Sequence, residues 1–430
     1  MDLINCTNLI PLQGLGIDFF MGFLYNIFIN IYGAMISLAS FFGEKARKLR
    51  AGQRQAFELL VSKIDPNTSY VWFHAASLGE FEQGRPVMEQ LKKEQPDTKI
   101  LLTFFSPSGY EVRKNYEGAA IVSYLPLDTP GNAFRFMKLV KPVKAVFIKY
   151  EFWPNYLLAL KAQKIPVYSI SAIFRPEQIF FKWYGKWYRD LLCTFNHIFV
   201  QDKTSLDLLH ANGIENVTVA GDTRFDRVTD LAKTSNIIPL VETFVKESKK
   251  VIVAGSTWPK DEELLVRYLK EHADVKLILV PHEIHEAHLS GIIKLLDTNF
   301  VRYTQADHSS VLYANCLIVD TMGMLSSIYR YASVAYIGGG FGVGIHNTLE
   351  AAVYDVPVVF GPNYLKFREA CELIAAGGAF SVDTYETFEA NLDILLNNKL
   401  SGKLAGDYVK NNTGATKMII KLLCTPLTSK

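Results

Sequence analysis

Residues 318–362 gather five glycines, Gly338, Gly339, Gly340, Gly342 and Gly344, between two apolar β-rich runs at 334–337 and 357–360. The glycines open onto a helix-like run, 347–353, so the order is strand, glycine turn, helix, strand. In an open α/β sheet such a turn lies at the carboxyl end of a strand, where free N–H groups and the positive end of a helix suit an anion. Just upstream, Asp320-Thr321-Met322-Gly323 ends another apolar run and opens a second helix. Two helix N-termini at neighbouring strand ends could thus converge on one phosphate. The spacing departs from G-x-G-x-x-G and lacks G-K-[ST], which disfavours a dinucleotide or P-loop site. A glycine turn of purely structural purpose fits the same pattern.

Three further strand ends carry reactive groups. In His74-Ala75-Ala76-Ser77-Leu78-Gly79-Glu80-Phe81 a strand runs into a tight turn and a carboxylate stands at the next helix start. Glu80 there is either a partner of the helix N-terminus or a general base able to take a hydroxyl proton. The run 145–148 ends in Lys149-Tyr150-Glu151-Phe152-Trp153-Pro154-Asn155, whose charges are either site groups or a solvated strand end. Ala254-Gly255-Ser256-Thr257-Trp258 is a hydroxyl-bearing turn before the acidic Asp261, Glu262 and Glu263, suited to holding phosphate or to capping a helix. Pro281-His282-Glu283-Ile284-His285-Glu286-Ala287-His288 is rich in histidine, but H-E-x-x-H would need a histidine where Glu286 stands, so the zinc motif is absent.

These turns need strands to present them. Seven apolar runs, 71–73, 100–105, 121–124, 145–148, 167–170, 197–200 and 217–219, alternate with helix-like segments, and a second series follows at 251–253, 277–280, 317–319, 334–337 and 358–360. Two such series predict two doubly wound parallel sheets, with the polar stretch 229–250 as the hinge and the cleft between the domains as the site. A length of 430 residues agrees with two domains. A net charge of +2 gives no case for nucleic acid as a partner. The five cysteines, Cys6, Cys193, Cys316, Cys371 and Cys424, are scattered and odd in number, which suits a reducing compartment.

Residues 19–42 carry no charged side chain and are long enough to cross a bilayer, which needs about 20 residues. Gly22, Asn26, Asn30, Gly33, Ser37 and Ser40 form a small and polar stripe along that helix, which suits packing on protein or lying in the interface as well as spanning. Its acidic start and long apolar core disfavour a cleaved secretory signal. Lys45, Arg47, Lys48, Arg50 and Arg54 follow directly, which places the body of the protein on the cytoplasmic side against anionic lipid. Residues 173–189 interleave Phe174, Phe180, Phe181, Trp183, Tyr184, Trp187 and Tyr188 with Arg175, Lys182, Lys186 and Arg189, a mixture found at membrane interfaces and also on packed helices.

The strings Asp320-Thr321-Met322-Gly323, Gly338-Gly339, Gly344-Ile345-His346-Asn347, Leu349-Glu350 and Phe360-Gly361-Pro362 resemble the bacterial 3-deoxy-D-manno-octulosonic acid (Kdo) transferases, and the similarity continues over nearly the whole chain. The resemblance implies a GT-B architecture: two Rossmann-like domains facing a cleft, over 44–235 for the acceptor and 236–430 for the donor, with a membrane-associated helix within 1–43. It implies transfer of Kdo from CMP-Kdo to the lipid A precursor, without a metal or cofactor, at the inner membrane among anionic lipids. No D-x-D motif appears.

Residue by residue, the S-x-G-E motif puts the proton acceptor at Glu80. Two acids precede the family's W-P-N run; here Lys149 replaces the first, assigned to the transition state, and Glu151 keeps the second. Arg224, in Gly221-Asp222-Thr223-Arg224-Phe225-Asp226, stands where the family has lysine. For the donor the resemblance implies Ser256 and Thr257; Pro281 and His282 from a P-R-H-P-E string; Met322, Gly323 and Met324; Gly344 and His346; Asn347, Thr348, Leu349 and Glu350; and, more remotely, Arg368. His282 in place of arginine loses a bidentate phosphate clamp and makes that contact sensitive to pH. The rival readings are a nucleotide-sugar epimerase of the same architecture and a non-catalytic, membrane-tethered lipid-binding protein.

Overall fold

The computed structural model describes residues 15–296 and 299–425; Cys6 and the start of the amino-terminal segment lie outside them. The first sheet contains β1 (Tyr70–Ala75), β2 (Lys99–Phe104), β3 (Ile121–Tyr124), β4 (Lys144–Ile148), β5 (Val167–Ala172), β6 (His197–Val200) and β7 (Val217–Val219), ordered 3-2-1-4-5-6-7. The second contains β8 (Val251–Thr257), β9 (Lys276–Pro281), β10 (Phe300–Arg302), β11 (Cys316–Ile318), β12 (Val334–Ile337), β13 (Val358–Phe360) and β14 (Ala379–Ser381), ordered 10-11-9-8-12-13-14. Every neighbouring pair is parallel.

Helices cover both faces of each sheet, so the central strands are largely apolar and β1 is buried at all six positions, the polar His74 included. Alternate residues serve opposite faces. Trp72 packs with Phe136, Phe147 and Tyr156, whereas Val71 and Phe73 join Phe81, Val87 and Leu91 on the other side. All twelve expected runs are strands. The two extra ones, β10 and β14, are three-residue edges, too short and too partly exposed to leave a pattern.

Contacts divide the chain into a first unit, up to Arg224 and again from Gly414, and a second unit, Phe225–Thr413. This corrects the expected boundary at 235/236 and the expected end of the second domain. Gln83 Nε2 donates to Asp222 Oδ2 at 3.1 Å, while Phe225 and Val228 are buried with Val241 and Phe244, so the division falls inside the helix Thr223–Thr234. The last helix, Ala415–Cys424, returns to the first sheet because Ile419, Ile420 and Leu423 bury with Val71, Phe73 and Leu91.

The amino-terminal helix spans Leu15–Ala39, and its stretch from Phe20 is long and apolar enough to cross a membrane by length and composition. One face packs on the first unit: Ile29 is buried, and the Tyr25 ring lies 6.0 Å from that of Trp187. The other face leaves Phe20, Phe23, Ile27, Phe28, Ile31, Met35 and Leu38 exposed.

Candidate active site

Connections leave β1 and β4 in opposite directions although the two strands are hydrogen-bonded neighbours, which opens a crevice at their carboxyl ends. Glu80 and the segment Lys149–Glu151 stand on its two sides. Glu80 sits in the first turn of the helix Leu78–Glu94 and accepts the N–H of Ala76 at 2.5 Å and of Ser77 at 3.1 Å. It is therefore the helix-start partner that the sequence allowed. Its carboxyl is nevertheless pushed up to about 7, by burial first and by the Glu151 carboxylate second; the two N–H groups and Lys149 oppose this. A carboxyl poised near neutrality can take a proton at physiological pH.

Glu151 is 8% exposed and held by two residues that spacing did not reveal. His74 Nε2 lies 3.0 Å from Glu151 Oε2, and Trp153 Nε1 donates to the same oxygen at 2.6 Å. His74 comes from β1 and is fully buried, with Nδ1 2.9 Å from Thr103 Oγ1, which also accepts the Trp72 indole N–H at 2.8 Å. His74 Nε2 also lies 3.1 Å from Trp153 Nε1, so the three side chains form one cluster. The signal for His74 was its place two residues after Trp72 on a buried strand, where a polar side chain needs a partner. Lys149 holds a left-handed backbone, φ +67°, with its Nζ 5.2 Å from the centre of the Tyr150 ring. Arg224 is braced against Asp222, with Nε at 2.8 Å from Oδ2 and its own N–H at 2.9 Å from Oδ1.

The aromatic and basic segment divides between its two readings. Phe174, Phe180 and Trp187 are buried, whereas Trp183 and Tyr184 are 92% and 54% exposed.

In the second unit the crevice lies between β8 and β12, and the ends of β11, β9, β8 and β12 bring the expected donor residues to one edge. Ser256 has φ +56°, and Thr257 Oγ1 donates to Glu262 Oε1 at 3.0 Å, while His288 Nε2 lies 3.0 Å from Glu262 Oε2. The His282 ring stacks between Trp258 and His346, with centroids 4.8 Å and 4.6 Å away. Burial and the neighbouring His282 push the His346 pKa down. Among the described residues, Trp258 Nε1, His346 Nε2 and Thr348 Oγ1 are buried without a hydrogen-bond partner. Beside Trp258 a cavity of about 390 Å³ is lined by that residue, Pro259, Lys260, Asp261, Phe341, Gly342 and Val343. Asp261 fixes its wall by accepting the N–H groups of Trp258 and Gly339, each at 2.9 Å, and the Tyr336 hydroxyl at 2.7 Å.

The glycine cluster does two kinds of work. A Cβ on Gly338 would lie 2.3 Å from the Ser256 carbonyl, and one on Gly340 2.5 Å from the Gly361 nitrogen, so these two serve chain-to-chain approach. Gly342 would place a Cβ no nearer than 3.8 Å, from the Gly339 carbonyl, and Gly323, which needs φ +88°, has open space beside it. Gly344 adopts φ +127°. The helices after these turns, Leu325–Ile328 and Leu349–Ala352, are single turns rather than the longer run 347–353, because a turn with Asp355 at φ +58° redirects the chain into β13. Met322 is 71% exposed at the mouth and Met324 packs against the core below it. Asn347 caps the second turn, accepting the Leu349 N–H at 3.1 Å and donating to Glu350 Oε1 at 2.9 Å. Pro281 ends β9, and Arg368, further on, pairs with Glu372 at 2.6 Å. Among the described residues no three His, Cys, Asp or Glu side chains are grouped to hold a metal ion.

A family model described as 3-Deoxy-D-manno-octulosonic-acid transferase (kdotransferase) matches residues 46–227. The chain is 26% identical over 377 residues to the 3-deoxy-D-manno-octulosonic acid transferase of Haemophilus influenzae, covering 83% of this chain and 87% of that one. It is 29% identical over 315 residues to that of Aquifex aeolicus, covering 72% and 80%. Among solved structures, UDP-GlcNAc 2-epimerase from Neisseria meningitidis matches with TM-score 0.56 at 17% identity, covering 82% of this chain and 99% of that one. At that identity the likeness is one of fold, the paired Rossmann-like GT-B type. With a family model over the body of the first unit, and relatives of one name aligned along most of its length, the chain is similar to the 3-deoxy-D-manno-octulosonic acid transferases, a family of glycosyltransferases.

Proposed function

We propose that this enzyme transfers Kdo from CMP-Kdo to the lipid A precursor, lipid IVA, in lipopolysaccharide biosynthesis, by a single inverting displacement. The observation that carries the reading is the Glu80 carboxyl, raised to about 7 at the crevice of the first sheet. The acceptor hydroxyl oxygen bonds to the anomeric carbon of Kdo as the bond from that carbon to the CMP phosphate oxygen breaks. The electron pair leaves with CMP, and the hydroxyl proton passes to Glu80. Glu151 keeps Glu80 basic, and Lys149 and Arg224 supply positive charge for the anionic substrates.

On the donor side, the unpartnered Trp258 Nε1, His346 Nε2 and Thr348 Oγ1 are free to bond CMP, and Glu350 is suited to ribose hydroxyls. The N–H groups near Gly323 and Gly344 meet the departing phosphate. No divalent cation takes part. The exposed apolar face of the amino-terminal helix, with Phe41, Phe42 and the basic run from Lys45 to Arg54, seats the enzyme on anionic lipid at the cytoplasmic side of the inner membrane.

Mass spectrometry of products from CMP-Kdo and a tetra-acylated lipid A precursor tests this directly. Wild type adds a Kdo mass to the lipid and Glu80→Ala does not; turnover of donor without acceptor, giving an isomeric sugar nucleotide, would instead support the epimerase.

A further inference from the structure

The inner face of the amino-terminal helix is bonded to the loop that carries Glu151. Tyr25 donates its hydroxyl proton to Asp128 Oδ2 at 2.8 Å, and Asn26 Oδ1 accepts from Asn155 Nδ2 at 2.9 Å. Asp128 is 1% exposed and acts as a hub. Its Oδ1 accepts the Tyr156 N–H and its Oδ2 the Asn155 N–H, each at 3.0 Å, while its carbonyl takes Asn155 Nδ2 at 2.6 Å. Those N–H groups open the helix Pro154–Ala162, which begins one residue after Trp153. The chain of contacts is therefore continuous: Tyr25 and Asn26 to Asp128 and Asn155, then the start of that helix, then Trp153 and Glu151, then His74.

We propose that Tyr25 and Asn26 are positioning residues for the transfer reaction: the amino-terminal helix forms part of the scaffold that holds Glu151 against Glu80, in addition to whatever its outer face touches. This rests on the reading of Glu80 as the base. The two faces of the helix are chemically separate. The residues exposed on the outside, such as Phe23, Phe28 and Ile31, are apolar, whereas those facing Asp128 and Asn155 are a hydroxyl and an amide. Burial pushes the Asp128 carboxyl up to about 6 even against its hydrogen bonds, so losing the Tyr25 donor leaves a buried anion with fewer partners and loosens the loop it caps.

The test is Tyr25→Phe, which keeps the ring against Trp187 and removes only the donor. Rates are measured in detergent micelles with CMP-Kdo and the tetra-acylated precursor across pH, and binding is measured by co-sedimentation with phosphatidylethanolamine and phosphatidylglycerol vesicles. The expected result is a loss of about tenfold in kcat, the scale of one buried hydrogen bond to a carboxylate, with KM within about twofold and vesicle binding unchanged. The acidic limb of the kcat profile moves to lower pH, because of the groups around Glu80 (Glu151, Lys149, Tyr150 and the Ala76 and Ser77 N–H groups) it is Glu151 that is displaced. Asn26→Ala gives the same pattern and decides the matter should Tyr25→Phe fail to fold. An unchanged kcat and profile in both variants, or a loss that follows loss of vesicle binding, overturns the proposal. Glu80→Gln separates the two readings: an active Glu80→Gln overturns the assignment of the base itself, whereas an inactive one beside a normal Tyr25→Phe removes only the role of the helix.

Discussion

Replacing Glu80 by glutamine should make the enzyme more stable and nearly inactive, and the stability gain should depend on pH. The amide oxygen still accepts the N–H groups of Ala76 and Ser77, so the helix start is preserved, but the charge beside Glu151 is gone. With a folded pKa of about 7 against the ordinary carboxyl value of 4.5, the folded protein holds this proton more tightly than the unfolded chain. Wild type therefore loses stability as pH rises from about 4.5 through about 7. Each tenfold gain in proton affinity on folding corresponds to about 1.4 kcal/mol, so the full penalty above pH 7 is about 3 kcal/mol, and it vanishes near pH 4. Urea unfolding of both proteins at pH 5 and pH 8 reads the difference directly: glutamine gains less than about 1 kcal/mol at the lower pH and about 3 kcal/mol at the higher. In parallel, kcat of Glu80→Gln falls by about 10²–10⁴ while wild-type kcat rises through a limb near pH 7. Equal stability differences at the two pH values, or a limb far below 7, would refute the argument that burial and Glu151 tune this carboxyl.

Lys149→Met removes the charge that lowers the Glu80 pKa, so the acidic limb of the wild-type profile should move upward; a downward shift would contradict the geometry. Gly338→Ala forces a Cβ to 2.3 Å from the Ser256 carbonyl and should cost more than about 2 kcal/mol in thermal or urea unfolding, whereas Gly342→Ala, with nothing nearer than 3.8 Å, should change stability by less than about 0.5 kcal/mol. Addition of a chelator such as EDTA should leave the initial rate unchanged, and restoration of a lost rate by magnesium would overturn the metal-free mechanism.

The parallel sheets were legible because strands buried on both faces are written as near-continuous apolar runs, and the seven of the first sheet could be read by eye. β10 and β14 were not: β10 is half-buried throughout and β14 buries only Ala379, so neither leaves an apolar run that stands apart from a loop. Glu80 stood out through its turn. Its environment did not, because the groups that set it come from three separate strands, β1, β2 and β4, and the turns after them, and His74, Thr103 and Trp153 look in isolation like ordinary core residues. Trp258 was missed for the same reason: stacking on His282 is a fact of β8 and β9 lying side by side, which no local window contains. The glycine turn was found, yet its meaning was split only by geometry, since Gly338 and Gly340 are crowded by backbone whereas Gly342 has room for a Cβ and Gly323 faces open space.

The return of the last helix to the opening sheet has a practical side for anyone dividing the gene. A clone stopped after residue 224 would leave Val71, Phe73 and Leu91 without Ile419, Ile420 and Leu423, and so expose an oily strip that invites aggregation. Residues 225–413, by contrast, form one uninterrupted stretch of coding sequence, and this is the half to express by itself when the proposed nucleotide site is to be tested apart from lipid.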